Sequence, residues 1–498
     1  MDHKIVILHF CDRQRNYMRN TFIGREKELS ELAPFLKKQT ASLIVVKGRR
    51  RIGKSRIIAE FAKKQKFYKF SGLPPEKNKP PQKDQEDQRK EFVRLLAEQG
   101  IPGVSSNDWG DIFWQLSQHT QKGRIIILFD EISWMAANDE LFLKKLKNAW
   151  DLHFQNNREL ILILCGSISS WIDENILSST GYFGRISWTL TLRELKLFEC
   201  NQFLEALNFR GSVYEKFKIL AITGGVPWYL EQMRGDINAD ENIRVQCFTE
   251  GGVLYNEFDT IFNELFKKRS EVYKKIILAL VNGPLEFADI YKKIGYEKSG
   301  KISTYLKDLS SAGFIQSECS WHIKSGKEAA LCRYRLSDNY LRFYLKYICP
   351  NRHKIEKGQF DLSIDNFTGW SSALGFQFEN LVLNNRRNIQ NILGIKSDDI
   401  VSDSPYFQHK TTKQLGCQID YLIQTKYNTL FVCEIKFSRH EINSSIIEEM
   451  KAKIKKLVLP KGFACFPVLI HINGVAESVE ESGYFIKIID FSELLKAE

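Results

Sequence analysis

The sequence lacks the patterns that would assign it to several large classes of protein. No apolar stretch approaches the roughly 18 residues that a membrane-spanning helix requires, which predicts a protein without a membrane partner. The 9 histidines include no H-E-x-x-H, and the 10 cysteines include no C-x-x-C pair. These absences argue against a zinc site.

The cysteines are scattered, and several lie inside apolar runs that are typical of strands. This distribution predicts buried, reduced thiols in a cytoplasmic protein rather than a disulfide framework. The N-terminal run IVILHF at residues 5–10 is short, has no cleavage site and is followed by charged residues, so it does not indicate a signal peptide. Met18 offers a second translation start, and we assign no function to the first 17 residues.

The charge balance favours an anionic partner. The 72 Lys and Arg residues outnumber the 60 Asp and Glu residues, which gives a formal charge of +12. Nucleic acid is the first candidate, although a surplus of lysine is also common on other soluble proteins. At 498 residues the chain has material for about three domains.

An octapeptide near the N-terminus carries the strongest chemical signal. Residues 48–55 read GRRRIGKS, which matches the phosphate-binding pattern G-x-x-x-x-G-K-[ST]. An apolar strand at residues 43–46 precedes it and a helical segment follows, as a phosphate loop requires. The pattern predicts that backbone N–H groups face an anion. The predicted nucleotide-binding residues are Gly48, Arg49, Arg50, Arg51, Ile52, Gly53, Lys54 and Ser55.

Further apolar runs place an acid pair beside this loop. The runs at residues 67–70, 125–129 and 160–165 alternate with amphipathic segments, which predicts a parallel sheet. Asp130 and Glu131 follow one of these strands. We expect Ser55 and Asp130 to hold Mg²⁺ and Glu131 to polarise the attacking water.

Two residues further along are candidates for assisting hydrolysis. Ser167 follows the next strand and could sense the γ-phosphate or orient the water. Arg185, in YFGR, could stabilise charge on the transferred phosphoryl group. A structural role for Arg185 is an equally good interpretation at this stage.

Several motifs together resemble a known family. They are FIGREKEL at residues 22–29, GRRRIGKS, FDEIS at 129–133, CGS at 165–167, YFGR at 182–185 and TGGVPWYL at 223–230. The combination, over residues 21–235, is similar to prokaryotic AAA+ ATPases of the STAND branch, which act as nucleotide-driven switches. The resemblance implies that Pro227 is positioned against the nucleotide, that Lys54, Ser55, Asp130 and Glu131 act in hydrolysis, and that turnover is slow. Many AAA+ proteins place an asparagine where this chain has Ser167.

A basic helical unit follows the ATPase region. Residues 271–280, 286–294 and 301–312 predict three helices, and a hairpin with Lys324 and Lys327 near its tip comes next. This order predicts a winged helix-turn-helix whose third helix presents Lys301, Thr304, Lys307 and Ser310 outward. In the family it resembles, such a unit often packs on the ATPase as a lid, so DNA contact and a lid role both remain open.

The C-terminal region predicts a second site. If a hairpin turns at Tyr427, Asp420 lies opposite Glu434, and alternation places Lys436 on the same face. Glu379, on a predicted helix at residues 373–383, could complete a shell for Mg²⁺ or Mn²⁺. The arrangement resembles the PD-(D/E)xK nuclease fold, which implies phosphodiester cleavage with Lys436 acting on the water. A charged, solvated hairpin face is the alternative.

The expected fold is multidomain α/β, with ATP and Mg²⁺ as cofactors. We predict a P-loop AAA+ core at residues 21–190, a helical lid at 191–268, a winged helix-turn-helix at 269–349 and a restriction-endonuclease-like α/β domain at 364–498. The favoured function is an ATP-hydrolysing switch acting on DNA as a nucleotide-gated, metal-dependent endonuclease, with a nucleotide-dependent homo-oligomer as a further expectation. The alternatives are a DNA-binding regulator and a protein-assembly switch, each with a catalytically silent C-terminal domain.

Overall fold

The computed structural model describes residues 22–74, 76, 80–105, 107–266, 270–295, 300–360, 364–412 and 414–496. Two compact units divide these residues. One comprises residues 25–193, and the other comprises residues 22–24 and 194–496. We call them the ATPase unit and the C-terminal unit.

A five-stranded parallel sheet forms the centre of the ATPase unit. Its strands lie in the order β2-β3-β4-β1-β5. The apolar runs predicted as strands are nearly or completely buried in β1, β3 and β4, because helices cover both faces of this sheet. The edge strand β5, largely half-exposed, was not predicted. The strands are β1 Ser42–Lys47, β2 Lys66–Ser71, β3 Ile125–Asp130, β4 Ile161–Gly166 and β5 Ile186–Thr191.

Aromatic side chains fill much of the core on one side of this sheet. Phe92 stacks on Phe70 with ring centroids 4.2 Å apart and meets Phe129 edge-on at 5.4 Å. Asp108 and Asp139 cap two of the helices by accepting hydrogen bonds from backbone N–H groups. The helices are α1 Glu26–Leu32, α2 Lys54–Ala62, α3 Pro81–Glu98, α4 Trp109–Gln118, α5 Ile132–Met135, α6 Glu140–Leu152 and α7 Ser169–Ile172.

The C-terminal unit begins with helices and continues into a small sheet. The three helices predicted before the hairpin are present, and the hairpin strands β7 and β8 pair with the short strand β6 in the order β6-β8-β7. The helices are α8 Leu197–Ala206, α9 Val213–Thr223, α10 Pro227–Glu231, α11 Ala239–Cys247, α12 Val253–Phe266, α13 Ser270–Leu280, α14 Phe287–Ile294, α15 Gly300–Ser311, α16 Asn339–Phe343 and α17 Arg352–Glu356. The strands are β6 Leu285–Glu286, β7 Ile315–His322 and β8 Lys327–Leu336.

A second five-stranded sheet, ordered β13-β12-β11-β10-β9, completes this unit. The strands β9, β10 and β11 are antiparallel, whereas β11, β12 and β13 run parallel. The strands are β9 Ile400–Gln408, β10 Cys417–Thr425, β11 Thr429–Lys436, β12 Ala464–His471 and β13 Lys487–Asp490. The helices are α18 Trp370–Asn384, α19 Arg386–Ile392, α20 Ser445–Lys456, α21 Glu477–Glu481 and α22 Phe491–Leu494.

The β7–β8 hairpin is bound to this second sheet. Ser320 donates a hydrogen bond to the Phe407 carbonyl and accepts one from the Phe407 N–H, both at 2.8 Å. The Trp321 indole N–H donates to Gln424 at 2.6 Å, and Trp321 and Ile323 are buried among residues of β9 and β10. The inner face of the hairpin is therefore part of the core beneath β9 and β10.

One expectation for this unit is wrong. Cys319 and Cys332 form a disulfide, although we expected reduced thiols throughout. They lie directly opposite each other on β7 and β8, a pairing that the hairpin creates and their separation in sequence does not reveal. The described residues 350–360, which lie between the predicted winged helix-turn-helix and the predicted C-terminal α/β domain, are partly helical, and Arg352 among them bonds Asp259 of α12 at 2.6 Å.

Five other cysteines, Cys165, Cys200, Cys247, Cys417 and Cys433, are buried thiols outside any disulfide, as expected, whereas Cys349 is exposed and Cys465 is half-buried. Among the described residues, no helix combines the length and apolar character needed to cross a bilayer.

Candidate functional site

The phosphate loop connects the end of β1 to the start of α2. Gly53 adopts a left-handed backbone with φ +87°, and Lys54 is the first helical residue. Gly48 needs its lack of a side chain for a different reason, because an added Cβ would lie 2.4 Å from the Leu192 carbonyl oxygen. The N–H groups of the loop are therefore followed directly by the amino end of a nine-residue helix, where an anion is stabilised.

The ammonium group of Lys54 lies inside the loop. It donates to the carbonyl oxygens of Gly48 and Arg49, both at 3.0 Å, and to the Ser167 hydroxyl at 2.8 Å. Lys54 is only 6% exposed. A bound phosphate would compete for the same ammonium protons.

The acid pair meets the loop as the sequence predicts. The Ser55 hydroxyl donates to the Asp130 carboxylate at 2.7 Å, and the Lys69 ammonium lies 3.3 Å from the same carboxylate. Hydroxyl and carboxylate oxygens are ligands that Mg²⁺ prefers. Ser55 and Asp130 therefore fit the metal role assigned to them.

Ser167 links the loop lysine to the second acid. Its hydroxyl accepts from Lys54 and donates to the Glu131 carboxylate at 2.7 Å, and its backbone N–H donates to the same carboxylate at 3.3 Å. Glu131 adopts a left-handed backbone with φ +52°, which is uncommon outside glycine and recurs at functional sites. The three residues form one hydrogen-bonded chain.

Two other predicted residues lie outside this hydrogen-bonded chain. Arg185 forms a bidentate pair with Asp151 of α6, at 2.7 and 2.8 Å. This pairing lowers the pKa of Asp151 to about 2 and raises the pKa of Arg185. Pro227 is the first residue of α10 in the C-terminal unit. Its role against the nucleotide stays a prediction.

The C-terminal hairpin has the predicted register. Tyr421 pairs with Cys433, and Thr425 pairs with Thr429, so the strands turn about Tyr427. The Asp420 carboxylate accepts from the Ile435 N–H at 3.0 Å, which brings it beside Glu434. Both acids are largely buried, with side chains 15% and 7% exposed.

Sequence reasoning missed the cation at this carboxylate cluster. The ammonium of Lys453, on α20, donates to Glu434 and lies 4.0 Å from Asp420. The predicted lysine, Lys436, instead bonds Glu449 at 2.9 Å and is 40% exposed. The alternation of polar and apolar residues on α20 carries no signal for Lys453 that distinguishes it from the neighbouring lysines of this helix.

Burial dominates the electrostatics of this cluster. It raises the pKa of Glu434 to about 7, with a further contribution from Asp420. It also raises the pKa of Asp420 to about 6, against the lowering influence of Lys453. Burial raises the pKa of Glu379 as well, although Arg335 opposes it. The alternative of a solvated hairpin face is wrong for Glu434, because α20 covers that side of the hairpin.

The face of α15 that we predict to contact DNA is largely exposed. Ile302, Tyr305, Leu306 and Leu309 are buried, whereas Lys301, Thr304 and Lys307 are exposed. Ser310 is half-buried. Two positive side chains therefore stand on one exposed helical face.

Part of the chain is similar to a known family of ATPase domains. Residues 22–233 match the family described as an ATPase domain predominantly from Archaea. This match identifies an archaeal-type P-loop ATPase domain and confirms the predicted ATPase class at that level. The uncharacterized protein MJECL04 of Methanocaldococcus jannaschii is 29% identical over 366 residues, which cover 72% of this chain and 75% of that protein.

Solved structures resemble the chain more loosely. A Walker-type ATPase of Pyrococcus abyssi is 16% identical, with a TM-score of 0.45 over 65% of this chain and 96% of that one. The ORC2 protein of Aeropyrum pernix, in ADPNP and ADP complexes, is 14% identical, with a TM-score of 0.41 over 69% of this chain and 98% of that one.

Proposed function

We propose that this protein is an ATP-binding and ATP-hydrolysing switch of the AAA+ and STAND type that acts on DNA. The hydrogen-bonded chain from Lys54 through Ser167 to Glu131 is the observation that carries the nucleotide assignment. It joins the group that would bind the outer phosphates to the group that would activate water. Slow turnover, implied by the STAND resemblance, fits a switch better than a motor.

In the proposed reaction, each residue of the ATPase unit has one task. The loop N–H groups and Lys54 bind the phosphates, and Ser55 and Asp130 would hold Mg²⁺, which supplies charge neutralisation. Glu131 orients and polarises the attacking water. When a phosphate binds the ammonium of Lys54, Ser167 loses its hydrogen bond from Lys54 and keeps its bond to Glu131. Phosphate binding therefore changes the hydrogen bonding of the residue that contacts the proposed water-activating acid.

Nucleotide titration tests the first half of this proposal. Lys54→Ala should abolish tight ATP binding, because the loop loses its ammonium. Lys63→Ala is the matched control, since Lys63 lies next to the same helix, is exposed and pairs with Glu60 at the surface. Equal ATP affinity of both variants, measured by calorimetry, would contradict the proposal.

DNA as the partner is supported by charge and by the exposed face of α15. The helices α13, α14 and α15 with the β7–β8 hairpin have the order of a winged helix-turn-helix, in which the third helix suits the major groove. The inner face of the hairpin is held against β9 and β10, and we assign the principal DNA contact to α15. A lid role for the same helix is the alternative.

A metal-dependent nuclease is a second candidate function for the C-terminal unit. The convergence of Asp420 and Glu434, with Glu379 contributing to their electrostatics, favours it. These carboxylates have the donor atoms that Mg²⁺ or Mn²⁺ requires, but the Lys453 ammonium already neutralises Glu434. An ion would therefore have to displace Lys453 from Glu434.

Supercoiled, linear and single-stranded DNA, incubated with Mg²⁺ or Mn²⁺ and with or without ATP, separate these candidates. Cleavage that disappears in Glu434→Gln supports the nuclease. Metal-independent binding without cleavage supports the regulator with a silent C-terminal domain.

A further inference from the structure

The guanidinium group of Arg25 joins two backbone segments of the ATPase unit. Its Nη2 atom donates to the Ile52 carbonyl at 3.2 Å and to the Arg193 carbonyl at 2.5 Å. Its Nη1 atom donates to Glu28 at 2.8 Å. Arg25 is 4% exposed, so its guanidinium group is largely shielded from bulk water. One buried cation thus bridges the phosphate loop and the last residue of the unit.

The backbone of Arg25 adopts an unfavourable conformation. Arg25 adopts φ +67°, a left-handed conformation that a non-glycine residue adopts only when its surroundings impose it. This conformation immediately precedes α1. The fold therefore fixes the direction in which the Arg25 side chain leaves the backbone. From there its planar guanidinium group reaches the Ile52 and Arg193 carbonyls.

A second contact ties the same two segments together. The Leu192 N–H donates to the Lys47 carbonyl at 2.8 Å, immediately before the loop. The close approach of Gly48 to the Leu192 carbonyl continues this contact into the loop. Residues 192–193 therefore contact the loop at its first residue, Gly48, and are linked to its fifth, Ile52, through Arg25. After Arg193 the chain passes into the C-terminal unit.

We propose that Arg25 is a positioning residue that transmits the nucleotide state of the phosphate loop to residues 192–193. This inference rests on the proposed binding of nucleotide by the loop. Phosphate binding fixes the peptide planes of the loop, because their N–H groups face the anion. The Ile52 carbonyl then becomes more ordered as well. Because Arg25 donates to both carbonyls, it extends this ordering to the Arg193 carbonyl.

The alternative is that Arg25 only stabilises the fold. Another arginine of the ATPase unit, Arg124, serves as a control for this alternative. Arg124 also donates to backbone carbonyls, those of Phe35, Glu159 and Lys38, at 3.3, 2.7 and 2.7 Å. None of these carbonyls belongs to the phosphate loop. Replacing either arginine should lower stability, but only Arg25 should change the response to nucleotide.

Hydrogen exchange measured by mass spectrometry on the full chain tests this inference. With ADP and Mg²⁺, wild-type protein should exchange more slowly both in the loop and in peptides that cover residues 190–195. We expect a slowing of about fivefold or more at residues 190–195, the lower end of ordinary coupling between sites. In Arg25→Gln the loop should still respond, and residues 190–195 should not. Arg124→Gln should respond as the wild type does.

A response at residues 190–195 that persists in Arg25→Gln, or that is missing from the wild type while the loop responds, overturns the inference. If nucleotide protects neither region, the proposed nucleotide binding fails first, and the inference fails with it. Should Arg25→Gln not fold, Arg25→Lys keeps the charge but lacks the fork, and it should show a reduced response at residues 190–195.

Discussion

The Ser167 hydroxyl donates a hydrogen bond to the carboxylate of Glu131, with 2.7 Å between Oγ and Oε1. The same hydroxyl accepts from the Lys54 ammonium at 2.8 Å. A serine thus stands where the family that the sequence resembles often has an asparagine, and it can still join the loop to Glu131, the acid that we propose activates water. This geometry predicts a role for Ser167 that its residue type alone left in doubt.

Removal of this hydroxyl should slow hydrolysis more than it weakens binding. In Ser167→Ala, Glu131 keeps the Ser167 N–H but loses its shorter bond. We expect turnover to fall by about tenfold to a hundredfold, since misplacing one catalytic group costs roughly that much. Steady-state ATPase assays give the turnover, and calorimetry gives the affinity. Unchanged turnover would show that the Glu131 bond is incidental.

Lys453 should stabilise the C-terminal unit through the carboxylate cluster. Lys453→Met leaves Asp420 and Glu434 without their ammonium, and we expect a loss of about 2 kcal/mol in the free energy of unfolding at pH 8. Urea denaturation measures this loss. Lys451→Met is the matched control, because Lys451 lies on the same helix, is 53% exposed and pairs with Glu448. Equal losses in both variants would contradict the assignment.

The same cluster predicts how stability depends on pH. The folded-state pKa values of Glu434 and Asp420, about 7 and about 6, lie above those of free carboxyl groups. Their contribution to stability is therefore complete below about pH 4 and is lost as pH rises through 6 and 7. Glu434→Gln should remove much of the loss between pH 6 and pH 8. Glu449→Gln, at an exposed position, should leave the pH dependence unchanged, and urea denaturation at both pH values decides between these results.

DNA binding, if α15 carries it, should depend on two lysines. Lys301→Ala with Lys307→Ala should weaken binding and reduce the slope of log affinity against log salt by about 0.9 for each phosphate that is no longer neutralised. Lys354→Ala with Lys357→Ala is a control pair at exposed positions outside α15. Fluorescence anisotropy across a salt series measures both. If the double substitution of Lys301 and Lys307 changes neither affinity nor slope, α15 acts as a lid and does not bind DNA.

The sequence predicted the parts of both sites that depend on local pattern. The phosphate loop follows from its spacing and its flanking strand, and the pairing around Tyr427 follows from the symmetry of a hairpin. Lys453 could not be predicted, because the approach of α20 to β11 depends on packing between segments distant in sequence. The burial of Glu434 and the Cys319–Cys332 bond were missed for the same reason. The edge strand β5 was missed because its half-exposed residues lack a continuous apolar run.

The central claim is that the ATPase unit binds and hydrolyses ATP with Glu131 activating the water. Glu131→Gln preserves the shape of the side chain and the Ser55–Asp130 pair that would hold Mg²⁺. ATP affinity and turnover measured on this variant and on the wild type test the claim most directly. We predict nearly equal affinity, with turnover reduced by at least about a hundredfold in the variant. Turnover at the wild-type rate would contradict it.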